Sequence, residues 1–412
     1  MTMNAGQTHA LEQLRTFILN PDAKEIILSG AAGTGKTYIL NQLQQEFHQL
    51  VLAGRVFGIG DYNLEFTATT NKAVGALQDS VGAGYNVQTI YSLLQVYPFR
   101  KFGTNEEQLR MRDKHLRLEN LVIVIDEYSY ISKLLYPLIK RIAAGKCKII
   151  YVGDAQQLPP VNEESCIVDT QNIQRLELTE IMRQANGNKI QAVSTMLRAS
   201  IAQGNLIDQI TPDGTDIVYL PKEQWERMMV DRTQAGNDFK MLGYTNKLVQ
   251  FYNVNLYKVK TSTVNTYNVG DICAVNSFIK FSEKKSFKPE QVVSIDTIKP
   301  SSRMMADVVV QGYDVSVEGY QFFLPNNIDE KNQLLKRDDV FAHDIEEIRS
   351  NWIDLRHAYA CTIHKSQGST FDEVFINLSD FSYLAHTNLN MYMRLLYVGI
   401  SRARYRVYVT SD

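Results

Sequence analysis

The chain has 412 residues, with 43 Lys and Arg against 45 Asp and Glu for a net charge of −2, and 44% of it is hydrophobic. That length predicts roughly two to four domains, and the composition is that of an ordinary globular protein. A near-neutral balance excludes a global basic field, so any nucleic-acid surface must be a local groove. The N-terminal stretch MTMNAGQTHA lacks the charged-then-apolar layout of a signal peptide, and the longest apolar runs are strand-sized, too short to cross a bilayer. Cys147, Cys166, Cys273 and Cys361 form no C-x-x-C pair, which suits free thiols in a reducing compartment. His357 and His364 are seven apart in a non-helical stretch, a poor geometry for metal ligands. A cytoplasmic or nucleoid location with no membrane partner is expected.

In chain order, Leu11, Leu14, Ile18 and Leu19 mark one face of a predicted helix over 8–19, with Gln7 just ahead of it. A β-branched run, Ile26-Ile27-Leu28, then enters Gly30-Ala31-Ala32-Gly33-Thr34-Gly35-Lys36-Thr37 and a helical pattern. This is the G-x-x-x-x-G-K-[ST] phosphate loop in its strand–loop–helix context. Its glycines let backbone N–H groups turn inward at the positive end of a helix. Lys36 is suited to the β- and γ-phosphates, and the Thr37 hydroxyl to Mg²⁺. A nucleoside triphosphate is therefore expected to bind.

A second strand over 64–67 leads into Ala68-Thr69-Thr70-Asn71-Lys72-Ala73. Hydroxyl and amide side chains there suit phosphate contacts or an ordinary helix cap equally. A short helix begins within 87–94, after which residues 95–118 hold six basic side chains against three acidic ones, interleaved with Tyr97, Phe99 and Phe102. A hairpin turning at 103–105 is predicted, either as a solvated satellite or as a nucleic-acid element. Leu121-Val122-Ile123-Val124-Ile125 is apolar throughout and ends in Asp126-Glu127, as a parallel strand buried on both faces would. Acids at the carboxyl end of such a strand sit where ligands bind in open α/β sheets. Asp126 could hold Mg²⁺ and Glu127 could polarise the attacking water. A further strand, 148–152, runs into Gly153-Asp154-Ala155-Gln156-Gln157-Leu158-Pro159-Pro160, where the prolines stiffen the loop carrying Gln157.

Arg183 follows in LTEIMRQ, and a strand over 241–244 ends in Thr245-Asn246-Lys247. Residues 264–324 turn to short alternating runs that suit a small barrel. Residues 326–350 carry seven acids against four bases and predict a solvated helical arm. A strand over 355–360 opens Cys361-Thr362-Ile363-His364-Lys365-Ser366-Gln367-Gly368, and a helix over 389–398 precedes Ser401-Arg402-Ala403-Arg404.

The ordered set GAAGTGKT, TATTNKA, VIDE, GDAQQLPPV, LTEIMRQ, YTNK, YACTIHKSQGSTFDEV and LLYVGISRAR resembles the motifs of the superfamily 1 helicases, in the RecD-like branch that moves 5′ to 3′. The resemblance runs from Gln7 to the C-terminus and is weak in the hairpin and in 253–354. It implies an α/β fold of two RecA-like phosphate-loop domains. The first would span 1–180 with a hairpin insert at 95–118. The second would comprise 181–252 and 355–412, interrupted at 253–354 by a small SH3-like β-barrel and helical arm.

It further implies ATP and Mg²⁺ as cofactors, single-stranded and fork DNA as partners, a monomeric state, and a replication partner such as a single-strand-binding protein. Residue by residue, Gln7 would meet the adenine, residues Gly30 to Thr37 and Gly368 would bind nucleotide, and Asp126 with Thr37 would hold the metal. Glu127 would be the base, Gln157 the γ-phosphate sensor, and Arg183 and Arg402 the arginine fingers. Thr70, Asn71, Lys72, Thr89, Tyr91, Pro160, Thr362, His364 and Lys365 fall where relatives touch DNA. The hairpin's own aromatic and basic residues, and not the resemblance, make Phe99 the favoured strand-separating ring. Tyr91 stands where many relatives have His, and Thr370 where many have Glu.

Two other classes compete with a DNA helicase. One is an ATP-switched single-strand-binding translocase or protein remodeller, which needs no wedge and so leaves the aromatic hairpin without a role. The other is a small-molecule phosphotransferase, which would need neither Arg402 nor a second α/β domain.

Overall fold

The structure is a computed structural model and describes all residues except 1–2, 57–59, 83, 101–106, 144–145, 181–188, 206, 208–209, 263–265, 283–284, 290, 338 and 412. The chain divides into two compact units. One takes residues 1–100, 107–210 and 384–401, and the other takes 211–383 and 402–412.

The first unit is built on a six-stranded sheet. Its strands are β1 (Glu25–Gly30), β2 (Asn63–Ala68), β3 (Gln88–Thr89), β6 (Leu121–Asp126), β7 (Cys147–Gly153) and β8 (Gln174–Leu178), ordered β3-β2-β6-β7-β1-β8. Every pairing is parallel, so the carboxyl ends of all six strands share one edge. Alternate side chains serve opposite faces. Ile26, Leu28, Val122, Val124, Ile150 and Val152 pack under the helices Ala5–Leu19 and Lys36–Val56. Ile27, Ile123, Ile125, Ile149 and Tyr151 pack on the other side with Ile139 and Ile142 of the helix Tyr136–Ile142. Two-sided burial is why these strands read as unbroken apolar runs. Lys148 is fully buried, and its ammonium donates to the carbonyls of Phe17 (3.2 Å), Asn20 (2.5 Å) and Ala23 (2.7 Å). Burial pushes its pKa down to about 8, and the bonds fasten the end of the helix that carries Gln7.

Between β3 and β6 stands an antiparallel ribbon, β4 (Val96–Arg100) with β5 (Glu107–Met111), in which Phe99 faces Gln108 and Tyr97 faces Arg110. Residues directly opposite share a face. Val96, Leu109 and Met111 therefore form one face, packed on the unit's own core, and Tyr97, Phe99, Gln108 and Arg110 form the other. The predicted turn and Phe102 lie outside the described residues. The helix Lys189–Gln203 completes the unit against the helix Leu389–Ile400. Residues 189–203 and 389–400, expected with the second domain, thus pack with the first unit.

The second unit holds a parallel sheet of β9 (Ile217–Tyr219), β10 (Phe239–Gly243), β18 (Ala360–Thr362), β19 (Phe371–Asn377) and β20 (Ala403–Thr410), ordered β18-β10-β19-β20-β9. Trp225, Met229, Val249, Tyr252 and Leu256 cover one face of it. Inserted between β10 and β18 is an antiparallel sheet with order β16-β15-β14-β11-β17. It comprises β11 (Ile272–Val275), β14 (Val292–Met305), β15 (Val308–Val317), β16 (Tyr320–Pro325) and β17 (Leu355–Arg356), with the small ribbon β12 (Ile279–Lys280) and β13 (Ser286–Phe287) beside it. The long hairpin β14–β15 turns on Ala306 and Asp307, both at positive φ (44° and 61°), as a two-residue turn matched to strand twist requires.

Two expectations change here. The predicted strand 355–360 is two strands in different sheets. After Arg356 the chain leaves the insert, and the His357 ring stacks between Tyr257 (3.8 Å between centroids) and Tyr267 (4.8 Å) while Nε2 meets the Thr266 carbonyl at 2.7 Å. The arm 326–350 is not solvated all round, because its Leu334, Val340, Ile345 and Ile348 are buried with Val310, Phe323 and Trp352.

Candidate nucleotide and nucleic-acid sites

The phosphate loop follows β1. Gly33 and Gly35 adopt φ of 83° and 89°, a region that favours glycine. At Gly30 a β-carbon would come within 2.7 Å of the Thr34 hydroxyl and 2.9 Å of the Leu178 carbonyl. Lys36 opens the helix Lys36–Val56 and folds over the loop, its Nζ donating to the carbonyls of Gly30 (2.6 Å) and Ala31 (2.9 Å). Thr37, next on the helix, is exposed.

Gln7 reaches the loop from the opening helix. Asn4 and Gln7 form a reciprocal capping box: the Asn4 side chain accepts from the Gln7 N–H at 2.7 Å, and the Gln7 Oε1 accepts from the Asn4 N–H at 3.1 Å. That bond orients the amide so that Nε2 donates to the Thr34 carbonyl at 3.0 Å. Gln7 is buried, and a β-carbon on Gly35 would collide with its amide. The N-terminal helix and the loop are thereby one assembly.

One strand separates β1 from β6, which delivers Asp126 and Glu127 to the same edge. Burial pushes the Asp126 carboxyl above the usual range, opposed by the Glu127 N–H donated to its Oδ1 (2.9 Å) and by the Lys36 charge. Glu127 sits in the left-handed region, φ 53° and ψ 47°. Tyr128 behind it is fully buried; its hydroxyl donates to Asp169 (2.8 Å) and receives Arg175 (3.1 Å).

Gln157 follows β7 in a turn in which its N–H donates to the Asp154 carbonyl at 3.1 Å. The guanidinium of Arg394 donates to the carbonyls of Ala155 (2.7 Å) and Gln157 (2.5 Å). The fully buried Asp154 carboxylate takes Tyr397 Oη (2.5 Å) and Arg198 Nε (3.1 Å). Pro160, expected to touch DNA, is buried, and its neighbour Val161 is exposed.

The expected DNA residues share one local device. Thr70, Thr89 and Thr362 each cap a helix that opens at a strand end, accepting the N–H of Ala73, Ser92 and Lys365. Cap and phosphate ligand are compatible, because a hydroxyl that accepts can still donate. Asn71 and Lys72 are exposed, and Tyr91 is half-buried. Thr362 is buried, and Lys365 Nζ donates to Asn276 Oδ1 at 2.6 Å. His364 lies beside the Tyr244 ring (6.1 Å), and burial lowers its pKa. Arg402, in the second unit, is buried and donates to the Ser369 carbonyl at 3.3 Å; Gly368 has φ of 72°. Arg183 lies outside the described residues. The Arg110 guanidinium lies 3.3 Å over the Phe99 ring.

Two family models match this chain: an AAA domain over residues 2–212 and a UvrD-like helicase C-terminal domain over residues 357–410. The first covers half of the chain. The chain belongs to the AAA-domain family, in its Pif1/Dda-like superfamily 1 helicase group. It is 25% identical to the uncharacterized protein R530 of Acanthamoeba polyphaga mimivirus, over 98% of this chain and 99% of that protein. It is 22% identical to the ATP-dependent DNA helicase dda of Enterobacteria phage T4, over 93% of each. A crystal structure of Bacteroides Pif1 helicase in complex with ADP-AlF3 and single-stranded DNA shares the fold, with a TM-score of 0.51, 16% identity, and coverage of 100% of this chain and 92% of that one.

Within this helicase chain, sequence reasoning missed Thr69, Arg198, Thr245, Arg394 and Tyr397. Thr245 repeats the Thr-Asn-Lys of residues 70–72 and likewise caps a helix, Asn246–Thr261. Arg394 is the only charge in the helix LNMYMRLLYVGI. A lone charge in an apolar helix announces a buried partner, but not which one.

Proposed function

We propose that the protein is an ATP-dependent DNA helicase that tracks one strand, 5′ to 3′, and opens duplex at a fork. The observation that carries this reading is the common carboxyl edge of the first sheet. The phosphate loop leaves β1, Asp126 and Glu127 leave β6, Gln157 leaves β7, and Thr70, Asn71 and Lys72 leave β2. On one sheet, then, the strand that carries the acids is the direct neighbour of the strand that carries the backbone grip, and two strands separate that grip from the phosphate loop.

The loop fits a nucleoside triphosphate: its glycines adopt conformations a β-carbon would oppose, and Lys36 hovers over the loop on carbonyls that phosphate oxygens would replace. Thr37 and Asp126 would hold Mg²⁺, which neutralises charge on the transferring phosphoryl group. Gln7, seated against Thr34 and Gly35, meets the base. Glu127 orients the attacking water and takes its proton. Gln157 reads the γ-phosphate, and Arg183 and Arg402 supply the positive charge that arginine fingers give. Thr89, Tyr91, Thr362, His364 and Lys365 extend the grip on phosphates, which carries no sequence information. A monomer acting in the cytoplasm or nucleoid beside a single-strand-binding protein completes the proposal. Among the described residues no helix is long and apolar enough to cross a membrane.

A strand-displacement assay with 5′-tailed and 3′-tailed duplexes tests it. Displacement on the 5′ tail alone is expected, and displacement on the 3′ tail alone would reverse the direction. DNA-stimulated hydrolysis with no displacement on either tail would favour the translocase or remodeller.

A further inference from the structure

The parallel strands β2 and β6 are in register as far as Ala68 opposite Asp126. Beyond that pair their chains part. One turns into the helix Asn71–Val81 and the other into the left-handed Glu127. Thr69 spans the gap: its N–H donates to the Asp126 carbonyl (3.2 Å) and its hydroxyl to the Glu127 carbonyl (3.0 Å). It is buried, and so is Thr67, whose hydroxyl donates to the Val124 carbonyl at 2.8 Å. Thr67 lies inside the ladder, where backbone bonds already fix both strands. Thr69 lies past its end, so its hydroxyl ties two segments that the ladder no longer pairs.

Those segments have different duties. The Glu127 carbonyl belongs to the peptide that follows the base, and turning that peptide swings the base's own backbone. The Tyr130 N–H also donates to this carbonyl, at 3.1 Å. Thr70, the very next residue, caps the helix through Ala73 (3.2 Å), and its carbonyl takes the Val74 N–H (3.0 Å). Thr70, Asn71 and Lys72 therefore move with the helix start as one block.

We infer that Thr69 is a positioning residue that couples a DNA strand held at Thr70, Asn71 and Lys72 to the placement of Glu127 for hydrolysis. A phosphate drawing on the helix start pulls Thr69, and Thr69 resets the peptide behind the base. This rests on the helicase reading, in that those three residues meet the strand. The physical warrant is the pair of hydrogen bonds by which the buried Thr69, next in the chain to Thr70, holds the backbone of Asp126 and Glu127.

The test compares the parent with Thr69→Val, which keeps the shape and removes the hydroxyl, and with Thr69→Ser, which restores it. ATP hydrolysis is measured with and without oligo(dT), oligo(dT) affinity by fluorescence anisotropy, and folding by thermal melting. In Thr69→Val the ratio of stimulated to basal kcat is expected to fall about tenfold, a typical coupling, with oligo(dT) affinity retained, and Thr69→Ser is expected to recover it. A parental ratio in Thr69→Val overturns the coupling. So does an equal fall of basal and stimulated rates, which would make Thr69 a fixed support for Glu127, and so does loss of oligo(dT) affinity. Should the valine lower the melting temperature, Thr69→Ala removes the hydroxyl without added bulk, and the same ratio is read below its melt. A parent enzyme indifferent to oligo(dT) would instead overturn the helicase reading, a separate failure visible before any variant is made.

Discussion

Glu127 holds a backbone conformation that costs a non-glycine residue about 1–3 kcal/mol and persists only where neighbours over-determine it. Asp126 takes its N–H, and Thr69 and Tyr130 donate to its carbonyl. A glutamate kept there at that cost is worth a direct test. Glu127→Gln is expected to bind ATP and single-stranded DNA while turnover falls about 10²–10⁴-fold, the worth of a general base; near-parental steady-state hydrolysis would make it a strand-end acid only. Lys36→Ala should abolish hydrolysis and largely spare single-strand binding, since the phosphate loop and Thr70 leave different strands; equal loss of both in a folded variant counts against two sites. Both residues were legible in the sequence, because a phosphate loop and an acidic strand end are local patterns. Thr69 was legible only as part of a threonine-rich strand end. Nothing local says that its hydroxyl crosses to a residue 58 positions on.

At the scale of elements, the hairpin β4–β5 sorts its aromatics by face. The face bearing Val96, Leu109 and Met111 pins the ribbon to its own unit. Phe99 is on the other face, under the Arg110 guanidinium, so its ring is not what anchors the hairpin. Phe99→Ala should therefore melt and hydrolyse like the parent and unwind poorly. Base–aromatic stacking is worth about 1–3 kcal/mol per base, comparable to opening one base-pair step. Duplex unwinding at matched hydrolysis reads the difference, with thermal melting as the folding control and Phe102→Ala as the second choice of ring. If both variants unwind as well as the parent, the wedge is elsewhere. The aromatic and basic character of this hairpin was readable from composition, and its face assignment was not, because register needs both strands. The strand expected over 355–360 failed for a related reason. Leu355 to Ala360 contains no breaker, and only the stack of His357 between Tyr257 and Tyr267 shows where one sheet ends and the next begins.

For the whole molecule, a net charge of −2 confines attraction for nucleic acid to local surfaces such as the strand-end threonines, Lys72 and the basic hairpin. Contacts to phosphate release counterions and ignore base identity. Hydrolysis should thus be stimulated by single-stranded DNA of any sequence, and affinity should drop steeply between about 50 and 200 mM salt. Salt-independent binding, or stimulation by one sequence only, would exclude a backbone-tracking motor. The α/β class and the order of motifs were legible from the chain, yet the division into units was not. The helix Leu389–Ile400 belongs with a unit whose other members end at residue 210, and its Arg394 bonds carbonyls 237 and 239 positions earlier. That discontinuity has a cost in time during synthesis. At roughly 5–20 residues per second, the ribosome works for on the order of ten seconds or more between releasing Gln203 and releasing Leu389. Throughout that interval the helix Lys189–Gln203 lacks its partner helix Leu389–Ile400, and the carboxylate of Asp154 awaits Tyr397. The nascent first unit leaves the ribosome unfinished, and the loop that carries Gln157 waits for Arg394 to hold its carbonyls.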